Sequence, residues 1–320
     1  MRILITGAGG FVGRAITREL AAAGHELTLM LHQHPEPAGS EMHGIVRGDV
    51  RDAGILLEVM RNAKVERVCH LAGLTGVRDS VTQPGLYFDV NVGGVIGLLT
   101  AVQMLPPGER PALVFASSRL VYSTRGTTGT PETAETSPSN PYGVSKVLCE
   151  RLVSLLCTES GMSAWSLRCF NISGGLAGIT DPDLDRLIPR LLAAVRGEVP
   201  PPTIESPGSV RDYCHVADVA RAFRLALESD PVAGVHRVVN VGSGAGVTTT
   251  DVLEGLEKTL GRTVPAVVKP SPPRNDASVA DISAIHEMLG WRPALGLVDI
   301  LADAAKHESV EGPYRGTGPR

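Results

Sequence analysis

The chain has 320 residues, 43% hydrophobic and 20% charged, enough for one large α/β unit or two joined domains and too apolar for a mainly disordered or collagen-like chain despite 36 Gly and 23 Pro. Thirty Lys plus Arg against 34 Asp plus Glu leave a formal net charge of -4. No global cationic field is available for nucleic acid or an anionic membrane, so any phosphate has to be bound locally.

Residues 2–6, Arg-Ile-Leu-Ile-Thr, read as a short buried strand, and residues 14–23 carry helical apolar spacing at Ala15, Ile16, Leu20 and Ala23. Between them lies Gly7-Ala8-Gly9-Gly10-Phe11-Val12-Gly13. Glycine is needed where the chain turns with positive φ and where a Cβ would keep a pyrophosphate from the amides at a helix N-terminus. A strand before and a helix after make this Gly7-x-x-Gly10-x-x-Gly13 loop a dinucleotide cradle; the bland alternative is a tight strand-to-helix turn. The second strand, Glu26–Leu31, ends in His32-Gln33-His34, where the usual reading places a carboxylate for the adenosine ribose. A histidine tolerates a 2′-phosphate better than an aspartate does, so NAD is the first expectation and NADP stays open.

Further strands are read near Ile45-Val46, over Val65–Leu71, Ala112–Ser117 and Ala164–Phe170, with helices over Asp52–Asn62, Tyr87–Met104 and Tyr142–Ser160. This alternation predicts a Rossmann-like, doubly wound parallel sheet with helices on both faces. After Asn171 the alternation weakens among Gly174-Gly175, Gly178, Pro182 and Pro200-Pro201-Pro202. The expected division is a dinucleotide-binding domain over 1–172, with a segment near 212–240 returning to it, and a smaller, partly interleaved substrate-binding domain over 173–320.

The five cysteines are odd in number, scattered and free of C-x-x-C spacing, which suits a reduced cytoplasm, with Cys149 and Cys157 packing in a helix core. No apolar run is read as a signal peptide or membrane span, and no metal site is expected: His32 and His34 lack supporting Cys or carboxylate spacing. His70, at a strand end, reads as a core imidazole.

Tyr142-Gly143-Val144-Ser145-Lys146 puts Tyr142 and Lys146 four residues apart on one helix face. A phenol of pKa about 10 is a poor base at neutral pH, and a neighbouring ammonium makes its phenolate accessible. Tyr-x-x-x-Lys alone also fits an amphipathic Tyr beside a surface Lys. Upstream, Phe115-Ala116-Ser117-Ser118 ends an apolar strand, where a parallel sheet forms its ligand crevice.

The glycine loop, the strand-end serine and the Tyr142/Lys146 pair resemble the short-chain dehydrogenase/reductase superfamily, in its extended branch that acts on nucleotide sugars. The resemblance covers nearly the whole chain. It includes Gly48-Asp49-Val50-Arg51-Asp52, His70-Leu71-Ala72-Gly73-Leu74, Asp89-Val90-Asn91-Val92, Arg168-Cys169-Phe170-Asn171, Arg211-Asp212-Tyr213 and Leu289-Gly290-Trp291-Arg292-Pro293. Within the branch the chain is most similar to the UDP-galactose (UDP-glucose) 4-epimerases.

That resemblance implies that Gly7, Gly10, Phe11, Val12 and Gly13 hold the pyrophosphate, that Asp49 and Val50 flank adenine, and that Leu71, Ala72 and Gly73 line the cofactor, with His32, Asn91 and Ser117 also on its side. It implies that Ser118 hydrogen-bonds the sugar oxygen, that Tyr142 is the acid/base, and that Lys146 bridges the nicotinamide ribose. Asn171, Arg211 and Arg274 are then expected on the nucleotide diphosphate and Thr75 beside the substrate, as part of a homodimer built through the helices over 87–104 and 142–160. Two departures stand out: Thr75 stands where relatives commonly carry lysine, and Ile172-Ser173-Gly174-Gly175-Leu176 replaces a Tyr-Gly-Pro-like turn. The expected activity is nucleotide-sugar 4-epimerisation through a 4-keto intermediate. The alternative is an NAD(P)H-dependent reductase of an NDP-4-keto-deoxysugar. A dehydratase lacks its acid pair, since Arg119-Leu120 follows Ser118, and a non-catalytic cofactor sensor has no use for Tyr142/Lys146.

Overall fold

The computed structural model describes residues 1–37, 39–123, 127–269 and 277–306. The strands are β1 (Arg2–Thr6), β2 (Glu26–Leu31), β3 (Gly44–Arg47), β4 (Arg67–His70), β5 (Ala112–Ser118), β6 (Thr127–Thr130), β7 (Ala164–Cys169), β8 (Asn171–Ser173), β9 (Thr203–Ile204), β10 (Val210–His215), β11 (His236–Val241), β12 (Gly246–Thr248), β13 (Val267–Val268) and β14 (Ala277–Ala280). The helices are α1 (Phe11–Ala22), α2 (Ala53–Asn62), α3 (Val77–Thr82), α4 (Pro84–Tyr87), α5 (Gly93–Gln103), α6 (Pro141–Ser160), α7 (Leu187–Val195), α8 (Val216–Glu228), α9 (Thr249–Leu260), α10 (Ser283–Leu289) and α11 (Leu297–Lys306).

Seven strands form one sheet in the order β3-β2-β1-β4-β5-β7-β11, every neighbouring pair parallel. Parallel strands expose apolar side chains on both faces, and both are covered. One layer buries Ile16 and Leu20 of α1 with Val219 and Phe223 of α8; the other buries Leu56 of α2, Leu98 of α5 and Val153 of α6. The chain reverses direction of winding at β1 and β4, which lie side by side, so the crevice opens at their carboxyl ends. A shallow cavity of about 780 Å³ lies at the opposite edge, between Arg2, His25, Met42 and Lys64, away from that crevice.

A second sheet runs β12-β10-β14-β6, with β8 pairing β10, and α7, α9 and α11 bury Leu191, Leu256 and Ile300 around it. The return to the first sheet is made by β11, and α8 belongs with the first layer, whereas residues 212–215 of β10 sit in the second sheet.

The expectation that no apolar run approaches the length of a membrane span is corrected. The helical run Pro84–Gln103, in which α4 passes through a π-turn over Phe88–Val92 into α5, is long and apolar enough to cross a membrane by length and composition. Half of its most apolar stretch is buried within the protein, Leu98 and Val102 among the packed residues, so packing against the sheet already accounts for much of that apolarity.

Candidate active site

At the carboxyl end of β1, Gly7 takes φ +72°, and a Cβ there would stand 2.7 Å from the Ala72 amide nitrogen. A Cβ on Gly13 would collide with the Gly7 carbonyl oxygen, so these two glycines let the loop fold against β4 and onto its own helix. Gly10 differs: its Cβ would meet nothing closer than the Gly7 oxygen at 3.5 Å, an ordinary contact. As N-cap of α1, Gly10 offers no side chain to the first-turn amides. Bare amides, helix dipole and room for close approach make a pyrophosphate cradle, so the residues present fit a dinucleotide.

Around the cradle, β2 is followed by exposed His32, whose Nε2 lies 3.8 Å from Asp49 Oδ2. Arg51 Nε donates to Asp49 Oδ1 at 2.9 Å and holds that carboxyl down at about 2. Val50 is buried in the core, where Gly94 and Gly97 leave it space against α5. His34 is half-buried; burial, then His32 and Arg14, lower its pKa. The end of β2 is therefore followed by two imidazoles, with the pKa of His34 lowered, where a ribose carboxylate is usual.

The next wall is Leu71-Ala72-Gly73, half-buried beyond β4. The Ala72 amide donates to Thr6 Oγ1 at 3.3 Å, and that hydroxyl lies 2.8 Å from His70 Nδ1. His70 is buried, as a core imidazole should be. A Cβ on Gly73 would come 2.8 Å from Asn91 Oδ1 and 3.9 Å from Lys146 Nζ, so this loop abuts α6.

Helix α6 begins where the sequence dictates: the Asn140 side chain accepts from the Gly143 amide at 2.9 Å, and Pro141 occupies the first turn. Gly143, having no side chain, sits against the Leu120 carbonyl, which brings the turn after Ser118 to the first turn of α6. Tyr142 and Lys146 are both buried. Lys146 Nζ donates to the Ala116 carbonyl at 2.8 Å and lies 4.8 Å from the Phe115 ring centroid and 5.8 Å from that of Tyr142. Ser118 Oγ accepts from the Leu120 amide at 3.2 Å. Ser118, Tyr142, Lys146 and the glycine cradle thus share the carboxyl edge of the sheet.

Two residues expected on the cofactor are engaged elsewhere. Asn91 Oδ1 accepts from the Leu74 amide at 2.7 Å, while Nδ2 donates to the Leu74 carbonyl at 3.1 Å and to Ser145 Oγ at 3.0 Å. It clamps the β4 loop to α6, with both amide hydrogens used by the protein. Ser117 Oγ donates to Glu150 Oε1 on the other face of β5 from Ser118, as strand alternation requires.

On the second sheet, Asn171 Nδ2 donates to the Asp212 carbonyl at 2.9 Å. Arg211 is half-buried, its Nη1 donating to the Val210 carbonyl at 2.9 Å, and with Arg119 it holds the Tyr213 hydroxyl down against the larger upward effect of burial. Asp212 is no partner of that arginine: it accepts from the Ser243, Gly244 and Ala280 amides. Thr75 is exposed between β4 and α3. Arg274 lies outside the described residues. Two cations not expected at the cleft, Arg119 and Arg186, stand near it: Arg119 Nε points to Asn171 Oδ1 at 3.4 Å, and Arg186, paired with Asp181, lies within electrostatic reach of Tyr142. Adjacency to Ser118 was a signal for Arg119; nothing local marks Arg186.

All five cysteines are free and buried. Burial raises Cys149 and Cys157 to about 11 and Cys169 to about 12, so they pack as apolar groups rather than as nucleophiles.

Residues 3–242 match the NAD dependent epimerase/dehydratase family. The chain is 33% identical to UDP-glucose 4-epimerase of Streptomyces lividans over 95% of this chain and 94% of that one, and 31% identical to UDP-glucose 4-epimerase of Corynebacterium glutamicum over 98% and 97%. Among solved structures, UDP-glucose 4-epimerase from Bifidobacterium longum in complex with NAD+ and UDP superimposes with TM-score 0.86 at 26% identity, covering 96% of this chain and 98% of that one. UDP-glucose-4-epimerase from Stenotrophomonas maltophila, with NAD and formylated UDP-arabinopyranose, gives TM-score 0.87 at 29% identity, covering 96% and 97%. With this extent of match, joined to the glycine cradle and the Ser118/Tyr142/Lys146 edge, the chain belongs to the NAD dependent epimerase/dehydratase family.

Proposed function

We propose that the protein is a nucleotide-sugar 4-epimerase of the UDP-glucose 4-epimerase kind. The observation that carries the reading is the placing of Tyr142 and Lys146 on one face of α6, with Lys146 anchored on the Ala116 carbonyl, beside the glycine cradle and Ser118. Held by the glycine cradle and the Leu71-Ala72-Gly73 wall, NAD would supply a reversible hydride acceptor for C4 of the sugar. Tyr142 removes the O4 proton and gives it back at the same oxygen. Ser118 hydrogen-bonds that oxygen, and the Lys146 ammonium favours negative charge on the phenol oxygen as it develops. Asn171 and Arg211 hold the diphosphate on the second sheet, with Arg274 as a further candidate by sequence. Anchoring the remote nucleotide lets the keto sugar turn without leaving. Gly7, Gly10, Phe11, Val12 and Gly13 take the dinucleotide pyrophosphate, and Leu71, Ala72 and Gly73 line its nicotinamide side.

The reading divides the chain into a dinucleotide half, 1–172 with the returning α8–β11 segment, and a substrate half in the remainder. The five buried thiols suit a reducing compartment such as the cytoplasm. The partner is a second copy of the chain, docked on the outer face of α5 and α6, where Ile96 is 50% and Leu155 63% exposed.

A ketoreductase has one observation in its favour: after β2 the imidazoles His32 and His34, with Arg14 of α1 acting on His34, stand where a ribose carboxylate is usual. One experiment separates the two readings: denature the purified protein, identify released dinucleotide by mass spectrometry, and assay C4 inversion of UDP-galactose. An epimerase retains near-stoichiometric NAD and turns the sugar over, and Tyr142→Phe lowers turnover by about 10²-fold or more while NAD stays bound. An empty protein that prefers NADPH overturns the epimerase reading.

A further inference from the structure

Arg119 connects the two sheets. It opens the short 3-10 turn Arg119–Val121 that follows β5, and the N-cap of that turn is Ser118, whose Oγ accepts from the Leu120 amide at 3.2 Å. The Leu120 carbonyl lies against Gly143 in the first turn of α6, so the backbone here belongs to the edge that carries Tyr142. The side chain leaves that edge. Its Nε donates to Asn171 Oδ1 at 3.4 Å and its Nη1 to Ser278 Oγ at 3.1 Å, on β8 and β14 of the second sheet.

Strand register fixes what surrounds the guanidinium. Asn171 is paired with Tyr213, and Ser278 with Arg211. Residues 211 and 213 of β10 share a face, and partners in a parallel register point the same way, so Asn171, Ser278, Arg211 and Tyr213 lie on one face of the second sheet. Burial raises the Tyr213 phenol, and Arg211 and Arg119 both lower it, in keeping with two cations on that face. Asp212, between residues 211 and 213, turns to the opposite face and accepts from the Ser243, Gly244 and Ala280 amides.

These contacts give the Asn171 amide a fixed sense. Oδ1 takes a guanidinium hydrogen, and Nδ2 gives one hydrogen to the Asp212 carbonyl at 2.9 Å. A flipped amide would set its NH2 against the guanidinium and its oxygen against a carbonyl, two repulsive contacts. The second Nδ2 hydrogen has no partner among the described residues.

We propose that Arg119 is a positioning residue for the diphosphate of the nucleotide sugar: its fork fixes the Asn171 amide so that the unused N–H is available to a phosphate oxygen beside Arg211. The inference rests on the reading above, in which Asn171 and Arg211 hold the diphosphate. The fork matters as much as the charge. A guanidinium donates from two nitrogens in fixed geometry, here to Asn171 and Ser278 at once, whereas a lysine ammonium on a flexible stem holds neither partner in place. The turn at Ser118 is held by its own backbone contacts, so the Arg119 side chain serves binding rather than the proton transfer at Tyr142.

The test uses the purified protein with bound NAD, titrates UDP by calorimetry, and measures kcat and KM for C4 inversion of UDP-galactose. Arg119→Ala should weaken UDP by about tenfold or more and raise KM by a similar factor, while kcat falls less than about threefold. Arg119→Lys should recover no more than about threefold of that loss. In the Asn171→Ala protein, which has already lost the oriented amide, adding Arg119→Ala should cost less than about threefold further. Should Arg119→Ala fail to fold, Ser278→Ala, which removes only the Nη1 anchor, should weaken UDP by about threefold with an unchanged melting temperature.

UDP affinity in Arg119→Ala within about threefold of wild type, full recovery by lysine, or an undiminished loss on top of Asn171→Ala each overturns the proposal and leaves the epimerase reading intact. So does a Ser278→Ala protein that binds UDP as wild type does. A wild type that neither binds UDP nor inverts UDP-galactose overturns the reading on which the proposal rests, and the proposal with it.

Discussion

Glu150 and Arg168 form a two-point ion pair beneath the edge that carries Ser118, Tyr142 and Lys146: Arg168 Nε lies 3.0 Å from Glu150 Oε1 and Nη2 2.7 Å from Oε2, with side chains only 8% and 7% exposed. Glu150 stands one helical turn beyond Lys146 on α6, and its Oε1 also accepts from Ser117. Arg168 reaches on to the Tyr122 hydroxyl at 2.8 Å and the Glu132 carbonyl at 3.0 Å. The pair therefore bolts α6 to β5 and β7 behind Ser118.

Removing one partner of such a pair leaves an uncompensated buried charge, which costs about 3–5 kcal/mol. Glu150→Ala should lower the urea midpoint accordingly and weaken turnover through loss of the α6 register. An unchanged midpoint would show that the network carries no such weight.

The cradle glycines should separate by what a methyl group meets. Gly7→Ala strains a residue at φ +72° and drives a Cβ to 2.7 Å from the Ala72 nitrogen, so it should destabilise the apo fold. Gly10→Ala meets only ordinary contacts within the protein and should fold with near wild-type stability while losing at least tenfold in dinucleotide affinity. Thermal melts beside NAD titration distinguish the two, and a Gly10→Ala protein that binds NAD normally would place the pyrophosphate elsewhere.

Acid should destabilise the fold through two neutral imidazoles. Burial, with a smaller contribution from Lys146, lowers His70 to about 3, and burial lowers His236 to about 4, against an unfolded value of 6.5. Above pH 6.5 neither state is protonated and the stability is intact. As pH falls from 6.5 toward about 4 the unfolded chain takes up protons that the folded chain refuses, so stability drops by about 1.4 kcal/mol per pH unit for each imidazole. Urea midpoints between pH 7.5 and 5 should fall, less steeply in a His70→Asn variant. A slope identical in that variant would assign the acid sensitivity to other groups.

The outer face of α5 and α6 presents Ile96, Leu148 and Leu155, each more than 40% exposed. If a second copy covers them, Leu155→Glu should convert a dimer to a monomer by light scattering without altering the far-UV circular dichroism. A wild-type monomer at micromolar concentration counts against this interface.

Much of this protein was legible before any tertiary information because its signals are local. The Gly7-x-x-Gly10-x-x-Gly13 spacing acts within one strand-turn-helix, and Tyr142 and Lys146 share a face by helical period alone, so both were determined by the sequence itself. Ser117 and Asn91 show where that reading stops. Alternation along β5 turns the Ser117 hydroxyl to Glu150, and the Asn91 amide is claimed by Leu74 and Ser145; Glu150 and Ser145 come within reach only when α6 packs. The same holds for Arg186: no pattern around it points to Tyr142. Their proximity was decided by how the segment entering α7 sits on the rest of the fold, tied to α3 by the Arg78–Asp185 pair between residues far apart in the chain.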